Sequence, residues 1–241
     1  KPGLLTNPVP PAGVTARSQT MTKIVEAMLK AMSDVVPARV VAGSHGQACT
    51  NSFSGIDPVT GKRFTYIEIQ GGGAGARPTK DGPDGQDLHL GRFMNTPVEA
   101  AELENPVMIE RYEFICDSGG PGKHRGGLSL RRDIRFLTYR YDFHTSENNS
   151  ETRREQRCRS KGVDPLKAGD VLSIKLPGSG GYGIPYERDP EQVRWDVLND
   201  KVSRESAREH YAVLFDRDMN VDREATEALR ARMKDNRYER R

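Results

Sequence analysis

Between Arg77 and Glu99 one polar stretch gathers many of the groups in this chain that could move a proton or hold an anion. They are Arg77, Asp81, Asp84, Asp87, His89, Arg92, Asn95 and Glu99. A histidine among carboxylates can ligate a metal or shuttle a proton. The spacing around His89 matches no standard metal motif, so a structural or substrate-orienting role stands beside the catalytic one. Arg77 and Arg125 carry the planar fork that grips an anionic group through two parallel bonds. On residue type and loop position, Asp81, Asp84 and His89 are the catalytic candidates. Arg77, Asn95, Glu99, Asp117 and Arg125 are the substrate-binding ones. Glu99 has a second reading as the reaching carboxylate of a capping box, with Thr96 as N-cap and Pro97 at N1.

Two other stretches look chemical and fail on inspection. Gly71-Gly72-Gly73-Ala74-Gly75 follows a strand-like run, but neither the phosphate-loop pattern nor the dinucleotide fingerprint is present. Asp117-Ser118-Gly119-Gly120-Pro121 resembles the serine nucleophile segment of trypsin-like proteases. No histidine motif accompanies it, and a triad needs all of its members. Cys49, Cys116 and Cys158 show no metal-ligand spacing and are read as reduced thiols of a cytoplasmic chain.

The elements that must position these residues are legible in part. Met21, Ile24, Val25, Met28, Leu29, Met32, Val35 and Val36 form one apolar stripe, which predicts a long amphipathic helix ended by Pro37. The methionines on it are read as core filler. Phe64–Ile69, Val107–Ile115, Leu128–Leu137 and Val171–Leu176 read as strands. The glycine-rich stretches 70–99, 117–127 and 177–183 read as loops carried on that scaffold, outside the core. Thr138–Ser160 lacks Ile, Leu, Val and Met and is assigned no structure. Asp189-Pro190, Ser203 and Asp222 each mark the start of a C-terminal helix. The fold class expected is α+β, with a mixed or antiparallel sheet core, glycine-rich loops, one long N-terminal helix and a helical C-terminus. Residues 1–188 form the glycine-loop domain and 189–241 the helical segment.

Composition narrows the function classes. The 241 residues hold 37 basic and 34 acidic groups, a net charge of +3 without the concentrated basic surface of a nucleic-acid binder. No apolar run is long enough to span a membrane. Only 35% of residues are hydrophobic and the mean hydropathy is −0.72, which suits a large wetted surface, a partner-dependent fragment or disordered ends.

In combination, the motifs resemble those of the hydantoinase B/oxoprolinase family. The residues that carry the resemblance are Gly71-Gly72-Gly73 with Gly75-Ala76-Arg77-Pro78, Asp81-Gly82, Asp84-Gly85, His89 and Asn95-Thr96-Pro97-Val98-Glu99. Glu110-Arg111-Tyr112, Asp117–Gly120, Arg125-Gly126-Gly127, Arg132-Asp133, Gly169-Asp170, Pro177–Gly183 and Glu187-Arg188-Asp189-Pro190 agree. The resemblance implies the C-terminal half of a family subunit. It implies a hydantoinase A-like ATP-binding partner that carries ATP and Mg²⁺, a divalent metal in the upstream half of the subunit, and none bound by this chain alone. The implied activity is ATP-dependent opening of a lactam or hydantoin ring. A related ketone carboxylase subunit and a non-catalytic scaffold fragment are the alternatives. Residues 138–160 depart from the family pattern, which puts the activity of the chain in question.

Overall fold

The computed structural model describes all residues except 1, 5, 14–16, 47–48, 58, 87–93, 138–140, 146–149, 153–161 and 239–241. Helix α1 (Arg17–Met32) precedes strands β1 (Cys49–Ile56) and β2 (Arg63–Gln70). Helix α2 (Val98–Glu104) leads into β3 (Val107–Phe114) and β4 (Leu130–Phe136). Strands β5 (Tyr141–Thr145), β6 (Ser150–Thr152), β7 (Gly162–Leu166) and β8 (Val171–Lys175) follow. Helices α3 (Pro190–Leu198), α4 (Arg204–Glu209) and α5 (Arg223–Tyr238) close the chain. No helix among the described residues is long and apolar enough to cross a membrane.

The fold is α+β with two four-stranded sheets, ordered β2-β1-β5-β7 and β3-β4-β8-β6, and every described pairing is antiparallel. The main core takes Phe53, Tyr66 and Leu166 from the first sheet and Val107, Leu130, Ile134, Phe136, Leu172 and Ile174 from the second. It therefore lies between the sheets. Phe53 stacks on Tyr66 at 4.7 Å and meets Phe136 edge-on at 5.2 Å, two favourable ring geometries.

Two strands depart from what their letters suggest. β1 (CTNSFSGI) is small and polar and reads as loop, yet it pairs with both β2 and β5 along its length. Pairing with two neighbours supplies the backbone bonds that its side chains do not advertise. β2 turns Tyr66, Glu68 and Gln70 inward and leaves Ile67 exposed. Glu68 is tolerated inside because Arg132 of β4 meets it from the opposite sheet as a fully buried ion pair. Strands β5 and β6 fall inside the segment assigned no structure, and their backbones pair with β1, β7 and β8.

The glycine-rich stretches also differ from the expectation of loops outside the core. Residues 70–76 are buried throughout. Their backbone is laced to three other segments: Ala42 N–H donates to Ala76, Ala76 N–H to Gly180, and Gly127 N–H to Ala74. At Gly127 a Cβ would stand 1.9 Å from the Pro83 carbonyl oxygen, and at Gly178 1.7 Å from that of Ser118. At these two positions glycine is required for backbone to lie against backbone. The three loops form a packed polar layer beside the sheets.

At the C-terminus the expected caps are present. Asp189 accepts from Glu191 N–H, Ser203 from Ser206 N–H and Asp222 from Ala225 N–H. Val193, Val202, Ala207, Tyr211 and Val213 form a second, smaller core. The capping box around Glu99 does not form. Pro97 is the N-cap of α2 without a side-chain cap bond, and Thr96 N–H donates to Glu68 instead.

Candidate functional site

A cleft of about 670 Å³ opens where the glycine layer meets α3. The 79–84 turn, the 124–125 turn, Arg188, α3 and Lys201, three positions beyond its end, line it. Asp81, Asp84 and Arg125, predicted from the sequence as site residues, come together here with Arg188, Asp196 and Lys201.

Arg188 is the hub. Only 3% of its side chain is exposed, and its guanidinium donates to both Asp81 oxygens at 2.7 Å, to Asp196 at 2.8 and 3.1 Å, and to the Lys123 carbonyl. Asp84 accepts from Leu128 N–H at 2.8 Å, from Arg125 at 3.0 Å and from Lys201 at 2.9 Å. Asp81 accepts a further bond from Arg125 N–H at 2.8 Å. Three carboxylates and three cations thus neutralise one another, with most members well buried.

The electrostatics follow. Burial alone would raise the Asp81 carboxyl, but the bonds and charge of Arg188 and the Arg125 N–H outweigh it and hold the group below the usual range. Asp84 is likewise lowered: Leu128 N–H, Arg125 and Lys201 overcome its burial. At Asp196 burial wins over Arg188 and Arg125, and the carboxyl is raised. Burial pushes the nearby Tyr211 phenol up to about 12.

Against this network His124 and Trp195 are still available to a ligand. His124 lines the cleft with its Nδ1 3.9 Å from Asp81 Oδ1, and its side chain is 20% exposed. Trp195 stands on the rim, 66% exposed. The arrangement offers a flat apolar ring, an imidazole beside an ionised carboxylate, and the Lys80 ammonium. That set can hold a small polar ring and accept or return a proton at one edge.

The other sequence candidates lie elsewhere or outside view. His89 falls outside the described residues. Arg77 forms a backbone bridge with Lys80, next to the cleft lining. Asn95 caps Gly71 N–H and donates to the Tyr112 hydroxyl, on the side of β2 and β3. Glu99 sits in the first turn of α2. Asp117, at φ 60°, accepts from Ser203 N–H and fastens the second glycine loop to α4. Among the described residues no three His, Cys, Asp or Glu side chains come together as a metal site.

Sequence reasoning assigned no site role to Arg188, Asp196, His124 or Trp195. One signal for Asp196 was available. It lies three positions after the inward-facing Val193 on α3, so a carboxylate there needed a buried cation.

The hydantoinase B/oxoprolinase profile matches residues 1–149. An uncharacterized protein of Methanocaldococcus jannaschii is 35% identical over 94% of this chain and 43% of its own. A putative D-/L-hydantoinase B component of a Pseudomonas species is 31% identical over 95% of this chain and 42% of its own. The crystal structure of the ATP-dependent caprolactamase from Pseudomonas jessenii shares the fold with a TM-score of 0.84 at 26% identity, over 96% of this chain and 45% of that one. The nucleotide-free acetone carboxylase structure shares it at 0.68 and 17% identity, over 84% of this chain and 35% of that one. The chain therefore spans less than half the length of these relatives. With the profile covering more than half of its residues and the relatives matching it almost end to end, this chain belongs to the hydantoinase B/oxoprolinase family.

Proposed function

We propose that this chain is part of an ATP-dependent cyclic-amide hydrolase that opens a lactam or hydantoin ring together with a hydantoinase A-like ATP-binding subunit. In this reading ATP and Mg²⁺ sit on that partner, and a divalent metal sits in the upstream half of the family subunit. The complex is cytoplasmic, and residues 1–188 form the glycine-loop domain against which the helical segment 189–241 closes the cleft. The observation that carries the reading is the cleft itself. Separated stretches of the chain converge on one polar cavity in a fold shared with a caprolactamase.

Hydrolysis of a cyclic amide adds water at the carbonyl carbon and breaks the C–N bond, and the departing nitrogen takes up a proton. ATP, when bound on the partner, supplies activation of the amide oxygen. This chain's groups have simpler tasks. Trp195 offers a flat face for the ring. Arg188 and Arg125 keep Asp81 and Asp84 ionised and fixed. His124, 3.9 Å from the Asp81 carboxylate, moves the proton at the ring edge. Arg77, beside the cleft lining, holds an anionic group, and His89 is a further proton-relay candidate on its residue type.

The test is reconstitution with the ATP-binding partner and the rest of the family subunit. 5-Oxoproline, hydantoins, lactams and ketones are screened for ATP-coupled turnover. Ring opening by the wild type, reduced about a hundredfold or more in His124→Ala, supports the reading. Consumption of ketone and bicarbonate without ring opening establishes the carboxylase alternative. The scaffold alternative draws on one observation: Asp81, Asp84 and Arg188 spend their hydrogen-bonding capacity on protein groups. Unchanged ring opening in His124→Ala, His89→Ala and Arg77→Ala alike would establish it.

A further inference from the structure

Helix α1 wears its apolar stripe on the outside. Thr22 is buried and Glu26 accepts from Ser44 N–H and Oγ, so the side of the helix bearing them packs onto residues 41–46. Met21, Met28 and Met32 are 50%, 60% and 47% exposed, and Ile24 and Val35 are exposed with them. Met21, Ile24, Met28 and Met32 recur at the 3.6-residue period within α1, so they share one face, and Val35 follows just beyond its end. The small side chain of Ala31 flanks them, also exposed, which leaves room for a second helix to approach closely. The sequence alone reads the stripe as core filler; in the fold no part of the main core covers it.

A face of this kind on a soluble fold marks a contact surface. Relatives that match almost all of this chain extend for more than its own length again. In the caprolactamase the shared fold covers 45% of the chain, so a part at least as large lies outside the match and is expected to bury surface against it. We propose that the α1 stripe is the docking surface for that part of a family subunit, outside the region matched here and supplied on the same or a separate polypeptide. Its contacting element is apolar and takes the flexible methionine side chains into its own grooves, as Met-rich faces allow. The assignment does not depend on the reaction catalysed.

The experiment uses the 241-residue chain and, as probe, the portion of the Pseudomonas jessenii caprolactamase chain outside the match, made as a separate polypeptide. Light scattering after size exclusion reads the stoichiometry and titration reads the affinity. The wild type is expected to form a one-to-one complex. Met28→Glu/Met32→Glu is expected to bind at least about a hundredfold more weakly, because two charges would be buried without partners. Both side chains are exposed in this fold, so the variant keeps the wild-type far-UV circular dichroism and melt. Equal binding by the variant, a wild-type homodimer that the double substitution dissolves, or no binding by the wild type each overturns the proposal.

Discussion

Replacing Arg188 by Met should damage this fold more than any other single change in the cleft. The guanidinium is 97% shielded and serves two carboxylates at once. Asp81 is 35% exposed and can recruit water when its partner goes. Asp196 is 6% exposed and would be left with Arg125 Nε at 3.7 Å, beyond hydrogen-bond range. Removing one member of a buried pair costs about 3–5 kcal/mol. For a chain of this size each kcal/mol lowers the melting temperature by roughly 2–4 °C, so a fall of about 6–20 °C is expected. The pair itself adds little over a well-packed apolar substitute. Arg188→Met/Asp196→Leu should therefore recover more than half of the loss. The assay is urea unfolding at pH 7, followed by circular dichroism, of the wild type, both single variants and the double. A loss below about 1 kcal/mol in Arg188→Met, or a double variant no better than the single, would refute the view that the network is a closed, buried unit.

Other consequences are simpler to check. Asp81 and Asp84 have folded-state pKa values below their unfolded ones, so their contribution is present above about pH 4 and is lost as pH falls through the folded values. The stability gap between wild type and Asp84→Asn, read from urea midpoints, should therefore shrink from pH 7 towards pH 2.5. Gly127→Ala should cost more than about 2 kcal/mol because its Cβ meets the Pro83 carbonyl, whereas Gly43→Ala, with open space around it, should stay within about 0.5 kcal/mol in the same assay. Ser203→Ala removes the bond to Ser206 N–H and should cost about 1 kcal/mol of thermal stability. Arg194→Ala breaks a half-exposed pair with Glu191, a bond to the Met219 carbonyl and a charge contact with Asp216, and its cost should stay below about 1.5 kcal/mol.

What could be read from the letters was local. The C-terminal caps, the strands built on β-branched and aromatic runs, and the apolar stripe of α1 follow from rules that act within a few residues. What could not be read was set by contacts between distant segments. β1 has few strand-like letters and becomes a strand because β2 and β5 flank it. The stripe on α1 is periodic whichever way the helix faces, so period alone could not say that Met28 looks outward. The glycines of residues 71–75 read as a loop outside the core, yet the space around them is filled by neighbouring backbone. Asp81, Asp84 and Arg125 were visible as polar loop residues; the cations that silence the two carboxylates were not, since Arg188 and Lys201 lie more than a hundred residues further on.

Binding of the cyclic amide in the cleft beside Trp195, as proposed, is tested most directly by a crystal structure of the assembled complex soaked with a slowly hydrolysed lactam. Density for the ring against Trp195, with its amide edge within hydrogen-bond distance of His124, is the predicted result. Ring density bound anywhere else in the complex, with this cleft holding only water, would contradict it.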